Sequence, residues 1–203
     1  MPHRRATLLI VLWLLAIPLA IALIDRPAAT FAHTVIGPHA LLRWLTLPTE
    51  ALVPASLLGL AALSLARLRA PLPAPLHTLF LACLSITVTD AFGEALKRAF
   101  GRTWPDTWTN HNPSWIHDHV FGFFPFHGGA GWASFPSGHM FATTGFLAVL
   151  WLRAPAWRPL WATLIALVAI GLYGMDYHFI SDIIAGTALG AAVATVTVRI
   201  DRG

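Results

Sequence analysis

Long uncharged apolar runs alternate with short clusters of arginine and proline along this chain. The charge-free windows are residues 6–24, 51–66, 70–89, 140–152, 159–175 and 183–198. A membrane-crossing helix needs roughly 20 predominantly apolar residues. The windows 6–24 and 70–89 meet that length unaided. The other four meet it when a flanking charge snorkels or enters a polar site at the helix end. The pattern predicts an all-α bundle of six transmembrane helices, at about 6–24, 50–67, 74–98, 137–153, 158–177 and 179–199. The first run follows Arg4 and Arg5 and exceeds the roughly 7–15 residues of a signal-peptide core, so it is expected to remain as a span. Prolines 71, 73, 75, 155 and 159 mark tight turns. A loop is expected at 25–49, holding His33, His39 and Arg43, with a short interfacial helix near 41–45. The segment 99–136 is the one long loop, and the chain reads as a single unit over 1–203 without repeats.

Composition supports the bilayer as solvent. Hydrophobic residues make up 57% of the 203 and charged residues 11%, against about 25% charged in soluble domains. One cysteine excludes a disulfide framework and a thiolate metal site. The net charge of +4 comes from arginines beside apolar segments, not from one basic patch, so nucleic acid is not an expected partner. With the N-terminus placed inside, Arg4, Arg5, Arg67, Arg69, Arg153, Arg158, Arg199 and Arg202 fall at inner ends against one acid, Asp201. That asymmetry follows the positive-inside rule. It puts the 99–136 loop, as a cap, on the opposite face, with every histidine except His3 and His77.

Ionisable residues at the helix ends carry the candidate chemistry. Asp90, Glu94 and Lys97 lie at i, i+4 and i+7 on one helical face. They form either a packing stripe or a cation aimed at a polar site and oriented by acids. The 99–136 loop is rich in Trp and Phe, suited to the headgroup belt, and carries Arg102, His111, His117, His119 and His127. Those histidines lack metal-ligand spacing, and no metal is expected on them. Pro136-Ser137-Gly138-His139 opens a helix, with Ser137 as N-cap and free amides able to bind an anion. His178 and Asp182 are one turn apart, so the acid can hold one ring nitrogen and leave the other for attack. Residue types alone leave three classes open: an anion-handling hydrolase or transferase, an anion or proton transporter, and a structural membrane protein. Gly186-x-x-x-Gly190 allows close helix packing, expected in the bundle core in preference to a homodimer contact.

Taken together, these blocks resemble the type 2 phosphatidic acid phosphatase family, in the superfamily of vanadium haloperoxidases and bacterial acid phosphatases. Lys97-Arg98-Ala99-Phe100-Gly101-Arg102-Thr103-Trp104-Pro105 resembles its first block. Pro136-Ser137-Gly138-His139 matches its second in full, and Gly171-Leu172 followed by His178 and Asp182 resembles its third. Two arginines that clamp phosphate in the family are Trp104 and Leu172 here, and the third block's serine is Gly171. The resemblance implies a lipid phosphatase without cofactor, at the outer face of a bacterial inner membrane. In it, His178 is the nucleophile, His139 the general acid and base, and Asp182 the orienting acid. Lys97, Arg102, Ser137 and Gly138 hold the phosphate. Arg98 and the loop histidines His111, His117, His119 and His127 are the auxiliary candidates for the missing clamp, and Glu94 beside Lys97 is a further auxiliary residue. Phosphate transfer between lipids, or a transporter or scaffold that has lost turnover, are the alternatives.

Overall fold

The computed structural model describes residues 11–13, 15–37, 40–108 and 111–201. Expectations resting on residues 6–10, on His3, Arg4, Arg5 and His39, and on Arg202 lie outside them. The chain is an all-α, membrane-spanning helical bundle. Its long helices are α1 (Val11–Ile36), α2 (Leu47–Arg67), α3 (Ala74–Phe100), α4 (Gly138–Arg153), α5 (Arg158–Gly174) and α6 (Ile180–Ile200). Among the described residues, five are long and apolar enough to cross a membrane; α4, with 16 residues, is shorter than a crossing requires. The spans present their apolar residues outward: only 11% of the most apolar window of Leu41–Arg67 is buried. Leu58, Leu65 and Leu68 stand exposed on α2 and at its end. An apolar exterior of this extent requires lipid around it.

Helix α4 occupies the centre. It makes its largest contacts with α6 and α3. Phe141 and Ala142 pack on Ile86, Val149 joins Leu81, Ala194 and Val198, and Met140 meets Val168 and Leu172. Small residues set the approach of α6: a Cβ on Gly190 would come 2.6 Å from the Gly145 amide nitrogen, and one on Gly186 2.6 Å from the Ser137 carbonyl. The Gly186-x-x-x-Gly190 pair is thus spent inside the bundle core. Several interior polar groups between the helices are paired: Ser85 Oγ donates to the Gly145 carbonyl at 2.7 Å, and Thr49 and Thr143 share a hydrogen bond at 2.9 Å.

One boundary differs from the sequence expectation in a way that matters. The first helix does not stop at 24 but runs through Asp25 to Ile36, with π-helical stretches at Ala20–Ile24 and Ala32–Ile36. The wider turn at Ala20–Ile24 lies just ahead of Pro27, which has no N–H to donate. Asp25 does not terminate the span because its charge is neutralised within the protein. The expected 25–49 loop shrinks accordingly, and Ala40–Trp44 forms the short helix. Helix α5 ends at Gly174 instead of 177, leaving a turn that carries Asp176 and His178.

The segment between α3 and α4 is held by local caps and aromatic contacts. Its elements are a short helix Trp115–Asp118, a 3-10 turn Ala130–Trp132 and isolated bridges from Arg102 to Phe123 and Ala133. Gly101 ends α3 at φ 59°, where a Cβ would lie 1.9 Å from the Phe124 carbonyl oxygen, so only glycine serves there.

Candidate active site

The site is built where α3 ends, α4 and α6 begin, and the loop folds over them. Ser137 caps α4, its Oγ accepting from the Met140 amide at 3.4 Å. Its own amide donates to the Asp182 carbonyl at 3.1 Å, tying the start of α4 to that of α6. The amides of Gly138 and His139 open the helix with no intrahelical acceptor, at the positive end of the helix dipole. Lys97 reaches this point from the last turn of α3. A Cβ on Gly138 would stand 2.9 Å from Lys97 Nζ, so glycine admits the ammonium to the helix start. Lys97 Nζ donates to Glu94 Oε1 at 2.6 Å and lies 5.3 Å from the Phe141 ring. The Asp90, Glu94 and Lys97 stripe combines an intrahelical Lys97–Glu94 ion pair with a place in the lining of a cavity that also holds Gly138 and His139.

Two cavities meet at Lys97. One, of about 200 Å³, is lined by Glu50, Asp90, Glu94, Lys97, Gly138 and His139. The other, of about 420 Å³, is lined by Glu94, Lys97, Arg98, Trp104, His127 and the 128–130 turn. Trp104 stands where a clamp arginine was expected. Its Nε1 donates to the Ala130 carbonyl at 2.8 Å and its ring lies 5.0 Å from that of His178. Leu172, at the other clamp position, is sealed in apolar core.

His178 is buried in the turn before α6, with Nδ1 3.5 Å from Asp182 Oδ2, an ion-pair distance at the outer limit of hydrogen bonding. Burial holds its pKa below the usual histidine range, against the pull of Asp182, which favours the neutral ring that a nucleophile requires. Asp182 is fixed from several sides. Its Oδ2 accepts from Ser134 Oγ at 2.5 Å and from the Phe179 amide at 3.0 Å, and its Oδ1 pairs with Arg102 Nη1.

Arg102 has a geometry that its place in the motif did not indicate. Its side chain is wholly buried. Nη1 donates to Asp182 and to Ser181 Oγ (2.6 Å), and Nη2 donates to Asp25 Oδ2 at 2.6 Å. Asp25 also accepts from the Ser181 amide at 2.9 Å and the Ser181 hydroxyl at 2.5 Å. Rings of Phe123 and Phe179 lie 4.8 and 4.5 Å from the guanidinium carbon, with Phe121 and Phe135 beyond. The expected phosphate contact of Arg102 therefore meets a side chain already committed to two carboxylates beneath the site. Asp25, Ser134 and Ser181 belong to this arrangement and were not singled out from the sequence.

The auxiliary candidates are dispersed. Arg98 and His127 border the larger cavity, and His127 stacks on Trp132 at 4.1 Å. His117 pairs with Asp106 at 2.8 Å, His119 meets Trp115 edge to face at 5.7 Å, and His111 lines a separate surface hollow.

A buried histidine–aspartate pair, a lysine at a helix N-terminus and an enclosing membrane bundle define a polytopic protein equipped to handle an anionic group. Residues 78–202 match the PAP2 superfamily, and the chain belongs to it. That membership supports a phosphatase-type hydrolase activity. Among curated proteins the chain is similar to a lipid A 1-phosphatase of Rhizobium johnstonii (strain DSM 114642 / LMG 32736 / 3841), 32% identical over 114 residues. The match spans 56% of this chain and 43% of the relative. A lipid A 1-phosphatase of Rhizobium etli (strain ATCC 51251 / DSM 11541 / JCM 21823 / NBRC 15573 / CFN 42) is also 32% identical over 114 residues, 46% of its length. The match thus spans less than half the length of these relatives. No solved structure matches the chain.

Proposed function

We propose that this protein hydrolyses a phosphomonoester or pyrophosphate on a lipid headgroup through a phosphohistidine. A nitrogen of His178 attacks phosphorus while the bond to the lipid oxygen breaks, and His139 gives that oxygen its proton. Water then attacks the phosphohistidine, His139 takes the water proton, the P–N bond breaks and inorganic phosphate leaves. Lys97, the Gly138 amide and Ser137 hold the phosphate oxygens, and no metal takes part in these steps. Asp182 steadies the ring as it becomes cationic. Arg102 acts here as a positioning residue, holding Asp182 instead of the phosphate. The observation that carries this reading is the meeting of Lys97 with the Gly138 helix start, together with the buried His178–Asp182 pair.

The substrate is a membrane lipid phosphate, since the site opens at the end of a bundle whose exterior is apolar. The relatives' activity makes a lipid A-type glycolipid phosphate the leading candidate. Purified protein in detergent, given phosphatidic acid, phosphatidylglycerol phosphate, undecaprenyl pyrophosphate and lipid A, should release inorganic phosphate from at least one. His178→Ala should release none. Silence across the panel removes the enzyme reading, and phosphate moved to a second lipid without release makes it a transferase. The site is proposed to face the periplasm of a bacterial inner membrane. Reporter fusions at residues 70, 120 and 202 should read inside, outside and inside; an inside signal at 120 reverses the orientation.

A further inference from the structure

Away from the phosphate site, three distant parts of the chain bring ionisable groups together. His33 comes from the end of α1, Asp106 from the loop, and Asp176 from the turn between α5 and α6. One ligand atom from each lies within 4.8 Å of the others. His33 Nδ1 is 3.1 Å from Asp176 Oδ2. Asp176 is 1% exposed, and its second oxygen, Oδ1, is buried with no hydrogen-bond partner. A buried carboxylate oxygen left this way is costly, and a second carboxylate beside it adds repulsion. The His33 contact satisfies one oxygen of Asp176 and leaves both problems standing. Asp176 also sits at φ 54°, in the left-handed region that non-glycine residues adopt uncommonly, Asp more readily than most.

We propose that His33, Asp106 and Asp176 bind a divalent cation of the zinc class. An imidazole nitrogen with two carboxylates suits zinc or cobalt better than calcium or magnesium, which prefer oxygen alone. Bonds of ~2.0 Å in a tetrahedral shell put ligand atoms about 3.3 Å apart. The His33–Asp176 pair already has that spacing, and Asp106 must close up by no more than the difference from 4.8 Å. His117, whose Nε2 is 2.8 Å from Asp106 Oδ1, orients that carboxylate from behind. The cation links the first helix and the loop to the turn that carries His178, two residues beyond Asp176. Its role is to fix that turn; it does not touch the phosphate.

The test uses full-length protein in detergent, purified through a tag without histidine, stripped with chelator and titrated with Co²⁺. Wild type should bind one ion per chain and develop the visible absorption of four- or five-coordinate cobalt. Zn²⁺ should displace it and raise Tm. Asp176→Asn and His33→Gln should lose the absorption, and His117→Ala should weaken binding by ~10–100-fold. A protein with His111, His119 and His127 all changed to Ala should keep it. Wild type that takes up no cobalt, or shows only the octahedral spectrum of the free ion, overturns the proposal, and that result requires no variant to fold. Binding that survives both Asp176→Asn and His33→Gln, or is lost in the triple histidine variant, overturns it equally by placing the ion on surface histidines.

Discussion

Replacing Arg102 by alanine separates a positioning role from a phosphate-binding one. In the folded protein the guanidinium, Asp25 and Asp182 have no exposure to solvent. Removing the cation strands two carboxylates that have no exposure to solvent. Breaking one buried pair by deleting a partner costs about 3–5 kcal/mol. At roughly 2–4 °C per kcal/mol for a chain of this size, Tm should fall by about 6–20 °C. Asp25→Asn should also lower Tm, because Arg102 then keeps one acid and loses the other. The Asp25 and Arg102 substitutions should couple, with an interaction energy of at least ~1 kcal/mol in a double-mutant cycle. Thermal unfolding in detergent gives the stabilities, and lipid phosphate turnover on the same samples gives kcat and KM. In the positioning role kcat falls with misplacement of Asp182, and Asp25→Asn shares that loss although it lies outside the cavities. The reasoning is refuted if Arg102→Ala leaves Tm within ~2 °C of wild type and raises KM while Asp25→Asn is silent.

Other outcomes follow from the same geometry. Labelled substrate should leave a phosphoryl group on wild type after acid-free quenching, and none on His178→Ala; an adduct that persists without His178 moves the nucleophile elsewhere. Trp104→Arg should raise kcat/KM, because that position borders the larger cavity beside His178, whereas Leu172→Arg should fail to fold, since it buries an unpaired charge among Met140 and Val168; thermal unfolding and turnover of both variants check this. Gly186→Leu should disrupt the start of α4, where even a Cβ would be 2.6 Å from the Ser137 carbonyl, and lose turnover together with Tm. Burial pushes the Asp201 pKa up, but the hydrogen bonds and charge from His77 and Arg153 together hold it below the usual carboxylate range. A depressed folded-state pKa gives stability present above the unfolded pKa and lost as pH falls through the folded one, so wild type should lose Tm relative to Asp201→Asn only below about pH 4.

Much of the frame was readable from charge spacing. The long uncharged windows gave helices close to those found for α2 to α6, because a span's length and apolarity are local properties. Ser137 as cap, and the one-turn relation of His178 to Asp182, were legible for the same reason. Asp25 was not. A charge after 19 uncharged positions reads as the end of a span, and its neutralising partner is 77 residues away. A signal was there in the second uncharged stretch, 27–42, which makes Asp25 an acid inside a longer helix. Arg102 shows a different limit: its motif position is plain, but whether a guanidinium faces substrate or braces a carboxylate is decided by what the rest of the chain places around it. His33 and Asp176 lie 143 positions apart, beyond any local pattern.

The contact between Asp25 and Arg102 also bears on how far this site could be moved between proteins. Every residue assigned to the phosphate lies within 78–202, the stretch shared with the superfamily. The acid that braces the base of the site comes from the first helix, ahead of that stretch. A chimera that grafts the shared stretch onto a different leading helix would carry all the catalytic motifs and still lack the counter-charge for Arg102. Such grafts should work only when the donor helix brings an acid at the matching depth. In exchanges among relatives, the first helix and the arginine before Trp104 form one inheritable unit.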